Sequence, residues 1–114
     1  MEQFTTRQNK IARLIQKEMA GLFLKELKGE FQGLLISVTV VRITSDLSLA
    51  RCYLSIYPAD KAEETLRHVK QMTKSIRGHI GHKVAKQLRI IPDLEFFIDD
   101  SLNYLENIDR LLTR

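Results

Sequence analysis

The sequence predicts an α+β protein in which helices pack on one face of a small three-stranded sheet, with elements ordered α-β-β-α-(α)-β-α. Three observations carry this expectation. Apolar residues recur at three-and-four spacing from Ile11 to Leu27, two alternating runs follow around a short polar turn, and a second, longer helical pattern leads into a third strand-like run. Elements that each bury one face stack into two layers.

Thr5 or Thr6 can cap the first helix, whose apolar positions are Ile11, Leu14, Ile15, Met19, Leu22, Phe23 and Leu27. Gly29 and Gly33 are its stop signals. Ile36, Val38 and Val40 then alternate with Ser37 and Thr39. After Thr44-Ser45-Asp46, a second run places Ala50, Cys52, Leu54 and Ile56 on one face, which makes an antiparallel hairpin. Pro58 closes it, and Asp60 with Glu63 forms a capping box for a long helical stretch carrying Leu66, Val69, Ile76, Ile80, Val84 and Leu88 on one side. Pro92 then marks an edge, Leu94 to Ile98 read as the third strand, and Asp100 or Ser101 caps a short last helix with Leu105, Ile108, Leu111 and Leu112.

At 114 residues, 44% hydrophobic, the chain suffices for one core and not two, so a single domain over residues 1–114 is expected. One cysteine excludes an internal disulfide framework, and residues 1–7 lack the apolar stretch of a signal peptide. No apolar run approaches the roughly 18 residues of a membrane span. The expectation is a soluble cytoplasmic protein.

A formal charge of +4 and a pI near 9.4 make polyanions the natural partners, and placement sharpens the point. At about 100° per residue, Arg7, Lys10, Arg13, Lys17, Lys25 and Lys28 fall within an arc of roughly 120° beside the apolar face. On the long helix Arg67, Lys70, Lys74 and Arg77 cluster on one side, with Lys83, Lys86 and Arg89 continuing toward the third strand. A solvated surface also needs charge, but two basic stripes in so small a chain suit neutralisation of a nucleic-acid backbone.

Gly78-His79-Ile80-Gly81 raises a separate question, since a Gly-x-x-Gly flanked by basic residues is the backbone-gripping loop of KH domains. The core spacing Ile76, Ile80, Val84, Leu88 passes through it in steps of four, which favours a helix. A helical glycine costs about 1 kcal/mol relative to alanine. Gly78 and Gly81 therefore imply close approach of another backbone or tight packing against a neighbouring element.

Enzymatic chemistry finds little support. His79 and His82 lack further ligands nearby, His68 fits no hydrolytic motif, and Cys52 reads as a small core residue. Asp99 and Asp100 read as a strand end and a helix cap. No Walker loop or dinucleotide fingerprint occurs, and an acylphosphatase-like enzyme would need an arginine loop with an adjacent asparagine. No catalytic residue, metal or cofactor is predicted. Tyr53 and Tyr57, with Arg51, point to the sheet face opposite Cys52, where packing under a helix is favoured over an open base-stacking platform.

The segment Ser37 to Ile56, with its Val-Thr, Ser-x-Asp-Leu, Ala-x-x-Tyr and Ser elements in order, resembles the hairpin of the bacterial ribosome-binding factor A family. Ile76-Arg77, Ile80-Gly81, Leu88 to Phe96, Asp99 to Ser101 and Ile108-x-x-Leu-Leu112 resemble its second half, so the likeness covers nearly the whole chain. The resemblance implies a type II KH-like topology in which an Ala-x-Gly kink between two helices replaces the Gly-x-x-Gly loop. Aligned on Ile76-Arg77, that kink falls at Met72-Thr73-Lys74, which has neither the alanine nor the glycine.

The resemblance further implies a non-enzymatic assembly factor that binds the free or immature 30S small ribosomal subunit and assists late maturation and processing of 16S rRNA near its 5′-terminal helix and decoding region. Neighbouring ribosomal proteins as contacts, release by an assembly GTPase and a part in cold adaptation complete what the resemblance implies, and a single basic domain without an obvious apolar patch favours a monomer. Lys10, Arg13, Lys17, Arg42, Arg51, Lys70, Lys74, Arg77, Lys83, Lys86 and Arg89 are the candidate RNA contacts, with Lys74 and Arg77 foremost and Arg42 and Arg51 contributing if the outer sheet face is open. The alternative is a generic single-stranded RNA or DNA binder that uses Gly78-His79-Ile80-Gly81 as a true loop.

Overall fold

The computed structural model describes residues 5–99. Thr5 caps α1 (Thr6–Gly21) through a capping box in which its hydroxyl accepts the Gln8 N–H (3.1 Å) and its own N–H donates to Gln8 Oε1 (2.8 Å). Gln8 is buried, and its Nε2 donates to the Ile43 carbonyl at 2.9 Å, which ties the start of α1 to the end of the first strand. Ile11, Ile15 and Met19 follow on the buried face.

The helix does not continue to Leu27 as a regular α-helix. At Leu22–Glu26 it widens into a π-helical turn, with the Leu27 N–H donating to the Leu22 carbonyl at 2.9 Å. Leu22, Phe23 and Leu27 are all buried there, and Phe23 packs on Phe31 with ring centroids 5.9 Å apart. Of the two predicted stop glycines, Gly33 is the one with a left-handed backbone, at φ 77°.

β1 (Leu35–Ile43) and β2 (Leu49–Tyr57) form the expected antiparallel hairpin, but the register shifts between Val38 and Val40. This bulge at Thr39 changes which residues face the core: Ile36 and Val38 before it, Val41 and Ile43 after it, with Val40 only half-buried. Gln16 Nε2 serves the carbonyls of Val38 and Thr39 at 3.0 and 3.1 Å. On β2 the inward set is Ala50, Cys52, Leu54 and Ile56, as the alternation predicts.

The Asp60–Glu63 capping box does not form. The chain instead passes through a 3-10 turn at Ala59–Lys61 into α2 (Ala62–Gln71), and Lys61 caps without a side-chain bond. The long helical stretch is broken at Met72 (φ −96°, ψ 8°), which ends α2 and starts α3 (Thr73–Val84). Thr73 Oγ1 donates to the Lys70 carbonyl at 2.7 Å, a side-chain bond that spans the break. Val69, Ile76, Ile80 and Val84 stay buried across the break, so one apolar stripe serves two helices.

β3 (Asp93–Ile98) pairs with β2 in parallel, giving the sheet order β1-β2-β3. The buried side chains of α1, α3 and the inner sheet face form one cluster, with Val69 of α2 and Leu94 and Phe96 of β3 included. The predicted last helix, with Leu105, Ile108, Leu111 and Leu112, lies outside the described residues.

Candidate nucleic-acid interface

On α1, Lys10, Arg13 and Lys17 are exposed at spacings of three and four, opposite the buried Ile11, Ile15 and Met19. No described carboxylate pairs with any of the three. The side of the helix that could not enter the core is therefore a row of uncompensated cations. Lys25 lies in the π-helical turn and Lys28 in the turn that follows it, so both are beyond the regular α-helix that carries this row.

A second group flanks the helix break, where Arg67, Lys70 and Lys74 are exposed on α2 and the first turn of α3. Arg77 differs from them. Its Nε donates to the Pro92 carbonyl at 3.0 Å, its Nη2 donates to the Ile91 carbonyl at 2.6 Å, and Asp93 Oδ1 lies 3.5 Å away. Ranked among the foremost RNA contacts from sequence, Arg77 is bound instead to the connection into β3. Counting cations cannot reveal this, because the acceptors are backbone carbonyls 14 and 15 residues away.

Gly78 and Gly81 both lie within α3, so Gly78-His79-Ile80-Gly81 is helix and not a loop. Their surroundings differ. A β-carbon at Gly81 would stand 3.2 Å from Cγ1 of Ile91, whereas one at Gly78 would meet nothing within 4 Å. Gly81 is thus explained by packing against its own chain, and Gly78 opens onto the exposed side of the helix.

α3 runs back along α1. Its middle meets the end of α1, where Lys83 shares a shallow cavity with Glu18 and Lys25, and His79 Nδ1 lies 3.5 Å from Glu26 Oε2. Beyond its end, Arg89 comes beside Arg7 at the start of α1. Lys86 is exposed in the turn that follows Val84.

Packing of Tyr53 and Tyr57 under a helix is not what the described residues show. Tyr57 is 70% exposed, and Tyr53 stacks instead on Phe97 of β3, with centroids 5.3 Å apart and an interplanar angle of 25°. Arg42 and Arg51 are register partners on this outer face, but Arg51 faces Glu95 at 3.8 Å and Asp99 accepts a hydrogen bond from Thr39. With Asp93 and Glu95 also exposed, the outer sheet is of mixed charge, unlike α1.

Among the described residues no group of three or more His, Cys, Asp or Glu side chains could hold a metal ion. Burial pushes the Cys52 thiol up to about 12, which makes it a poor nucleophile. His68 Nε2 lies 3.1 Å from Glu30 Oε2, and its ring packs on Phe31. That contact and the His79–Glu26 pair bind α2 and α3 to the segment leaving α1, at sequence separations that no local pattern exposes.

Helices on one face of a three-stranded mixed sheet, with a bent helix pair between β2 and β3, define a KH-like module. The chain belongs to the ribosome-binding factor A family, whose sequence profile matches residues 7–112. It is 48% identical over 109 residues to ribosome-binding factor A of Flavobacterium johnsoniae, covering 95% of this chain and 84% of that protein. The crystal structure of ribosome-binding factor A from Thermus thermophilus superposes with a TM-score of 0.66 at 21% identity, covering 80% of this chain and 94% of the other. A homology model of the Thermus thermophilus protein, fitted into a cryo-EM map of a 30S complex, gives a TM-score of 0.59 at 21% identity, covering 86% and 97%.

Proposed function

We propose that this protein is a non-enzymatic assembly factor that binds the free or immature 30S subunit and assists late maturation and processing of 16S rRNA, near its 5′-terminal helix and decoding region. Membership of the ribosome-binding factor A family supports the partner, as does the Thermus thermophilus relative fitted into a map of a 30S complex. The observation that carries the mechanism is the uncompensated row Lys10, Arg13 and Lys17 on α1. Those side chains position rRNA phosphates, joined by Lys70 and Lys74 at the helix break and by Lys83, Lys86 and Arg89. Arg42 and Arg51 have a secondary part, and Arg77 acts by holding the turn before β3. The factor works in the cytoplasm as a monomer, has a part in growth in the cold, and leaves when an assembly GTPase acts on the particle.

Co-sedimentation with free small subunits, large subunits and assembled ribosomes over a salt series tests this reading. Selective retention on free small subunits is the expected result. If about six phosphates are neutralised, log affinity should fall against log salt with a slope near 5, taking the duplex DNA coefficient as a guide. Equal retention on all particles, or indifference to salt, would refute the reading.

A further inference from the structure

A cavity of about 250 Å³ lies where the start of α1, the tip of the β1–β2 hairpin and the connection from α3 to β3 meet. Its base is apolar, formed by the buried Ile11 and Leu88. Two features of its lining are unusual for a surface that only closes a core. Ile90 is 75% exposed at its edge, and Leu47 lines it from a left-handed backbone conformation, φ 63°, where a turn would ordinarily carry glycine or asparagine.

The lining also carries charge. Arg7 and Arg89 are exposed there, and neither has an acidic partner among the described residues. Asp46 is the third charged group. Thr44 Oγ1, Ser48 N–H and Ser48 Oγ all donate to its Oδ1, at 2.8, 3.1 and 2.8 Å, which fixes the carboxylate and leaves Oδ2 available to a ligand. Those bonds hold its pKa below the usual carboxylate value, so it is an acceptor throughout the neutral range.

We propose that this cavity takes one unstacked base of single-stranded RNA against Leu47 and Ile90, with Arg7 and Arg89 on the flanking phosphates and Asp46 Oδ2 accepting a hydrogen bond from a base N–H. The charges select this occupant. An apolar protein side chain would use the base of the cavity but would leave two unpaired arginines and a fixed acceptor unused, whereas an extruded nucleotide satisfies all of them. Recognition of RNA works this way where bases are splayed from a strand, with the flat ring held on apolar or planar groups and its edge read by hydrogen bonds. The inference rests on the proposed RNA-binding function and adds to it a base-sized contact at the start of α1, one turn before Lys10.

The test compares Ile90→Asn and Arg89→Gln with the parent chain. Ile90 is exposed enough that its replacement leaves the core intact. Affinity is measured over a salt series for an unstructured cytidine decanucleotide and, separately, for free small subunits. The proposal predicts that Ile90→Asn weakens oligonucleotide binding about fivefold or more without changing the salt slope, since a base contact releases no counterion. Arg89→Gln should lower that slope by about 1. Parent-like oligonucleotide binding by Ile90→Asn would overturn the proposal while leaving small-subunit binding untouched. A loss confined to subunits would overturn it too, in favour of a protein side chain as the occupant. Failure of the parent chain to bind the oligonucleotide would overturn this inference alone, and failure to bind small subunits would remove the function on which it rests.

Discussion

Cγ1 of Ile91 lies 3.2 Å from the point where a β-carbon of Gly81 would stand. The connection from α3 to β3 therefore folds back onto the helix it has just left, and Gly81 is small because Ile91 occupies the space beside it. Arg77, one turn earlier, holds the same connection through the Ile91 and Pro92 carbonyls. An arginine that reads as a ligand contact and a helical glycine that reads equally as close approach or as packing thus act together in setting where β3 begins.

The two glycines should respond oppositely to substitution. Gly78→Ala adds a methyl into open space and removes the helical penalty of glycine, so urea denaturation should show a gain of about 0.5–1 kcal/mol. Gly81→Val should lose stability, because a branched side chain cannot share the space with Ile91. A destabilised Gly78→Ala protein would contradict the open surroundings described for that position.

Arg77→Ala should cost stability, and Lys74→Ala should not. The first leaves two backbone carbonyls without their donor, an effect of about 1–2 kcal/mol for a partly exposed side chain. The second removes an exposed cation without a described partner and should lower affinity for small subunits alone. Thermal unfolding together with co-sedimentation separates the two roles, and equal stability losses would contradict the assignment.

Neutralising the α1 row, with Lys10, Arg13 and Lys17 all changed to Gln, should reduce the salt slope of small-subunit binding by about 2–3 while the circular dichroism spectrum stays that of the parent. Glutamine preserves helix propensity and length, so the variant isolates charge. An unchanged slope would move the interface off α1.

Cys52 should resist alkylation by iodoacetamide at pH 8 in the folded protein and react promptly in guanidinium chloride. Its thiol titrates near 12 when folded, above the 9.0 it has when free. The neutral form is thus favoured by folding, full stability holds below about pH 9, and it declines as pH rises from there toward 12. Rapid labelling of the folded protein would show that β2 opens to solvent.

Much of this protein was legible in the chain itself. The apolar stripe Ile11, Ile15, Met19, the alternation Ala50, Cys52, Leu54, Ile56 and the steps Ile76, Ile80, Val84 are periodic, and periodicity reports burial directly. They determine the helices, the hairpin and the helical state of Gly78-His79-Ile80-Gly81. The α1 cation row was legible for the same reason, since a helix that buries one side must expose the other. The family resemblance pointed to Met72-Thr73-Lys74 as the place of a kink, but those residues lack its Ala-x-Gly and the apolar stripe runs through without a skip, so the structure decided that the helix breaks there.

What sequence could not supply depends on residues far apart in the chain meeting in space. The bulge at Thr39 inverts the expected facing of Val40 and Val41, and Gln16 on α1 serves the carbonyls at that bulge. Arg77 is tied to the connection before β3 through acceptors that are carbonyls, which carry no residue identity. The cavity beside Arg7, Asp46 and Arg89 exists only because three separate segments converge. Local pattern determined which side of each element is buried, and tertiary packing alone decided which charges remain free, since that depends on what each guanidinium or carboxylate finds across the gap.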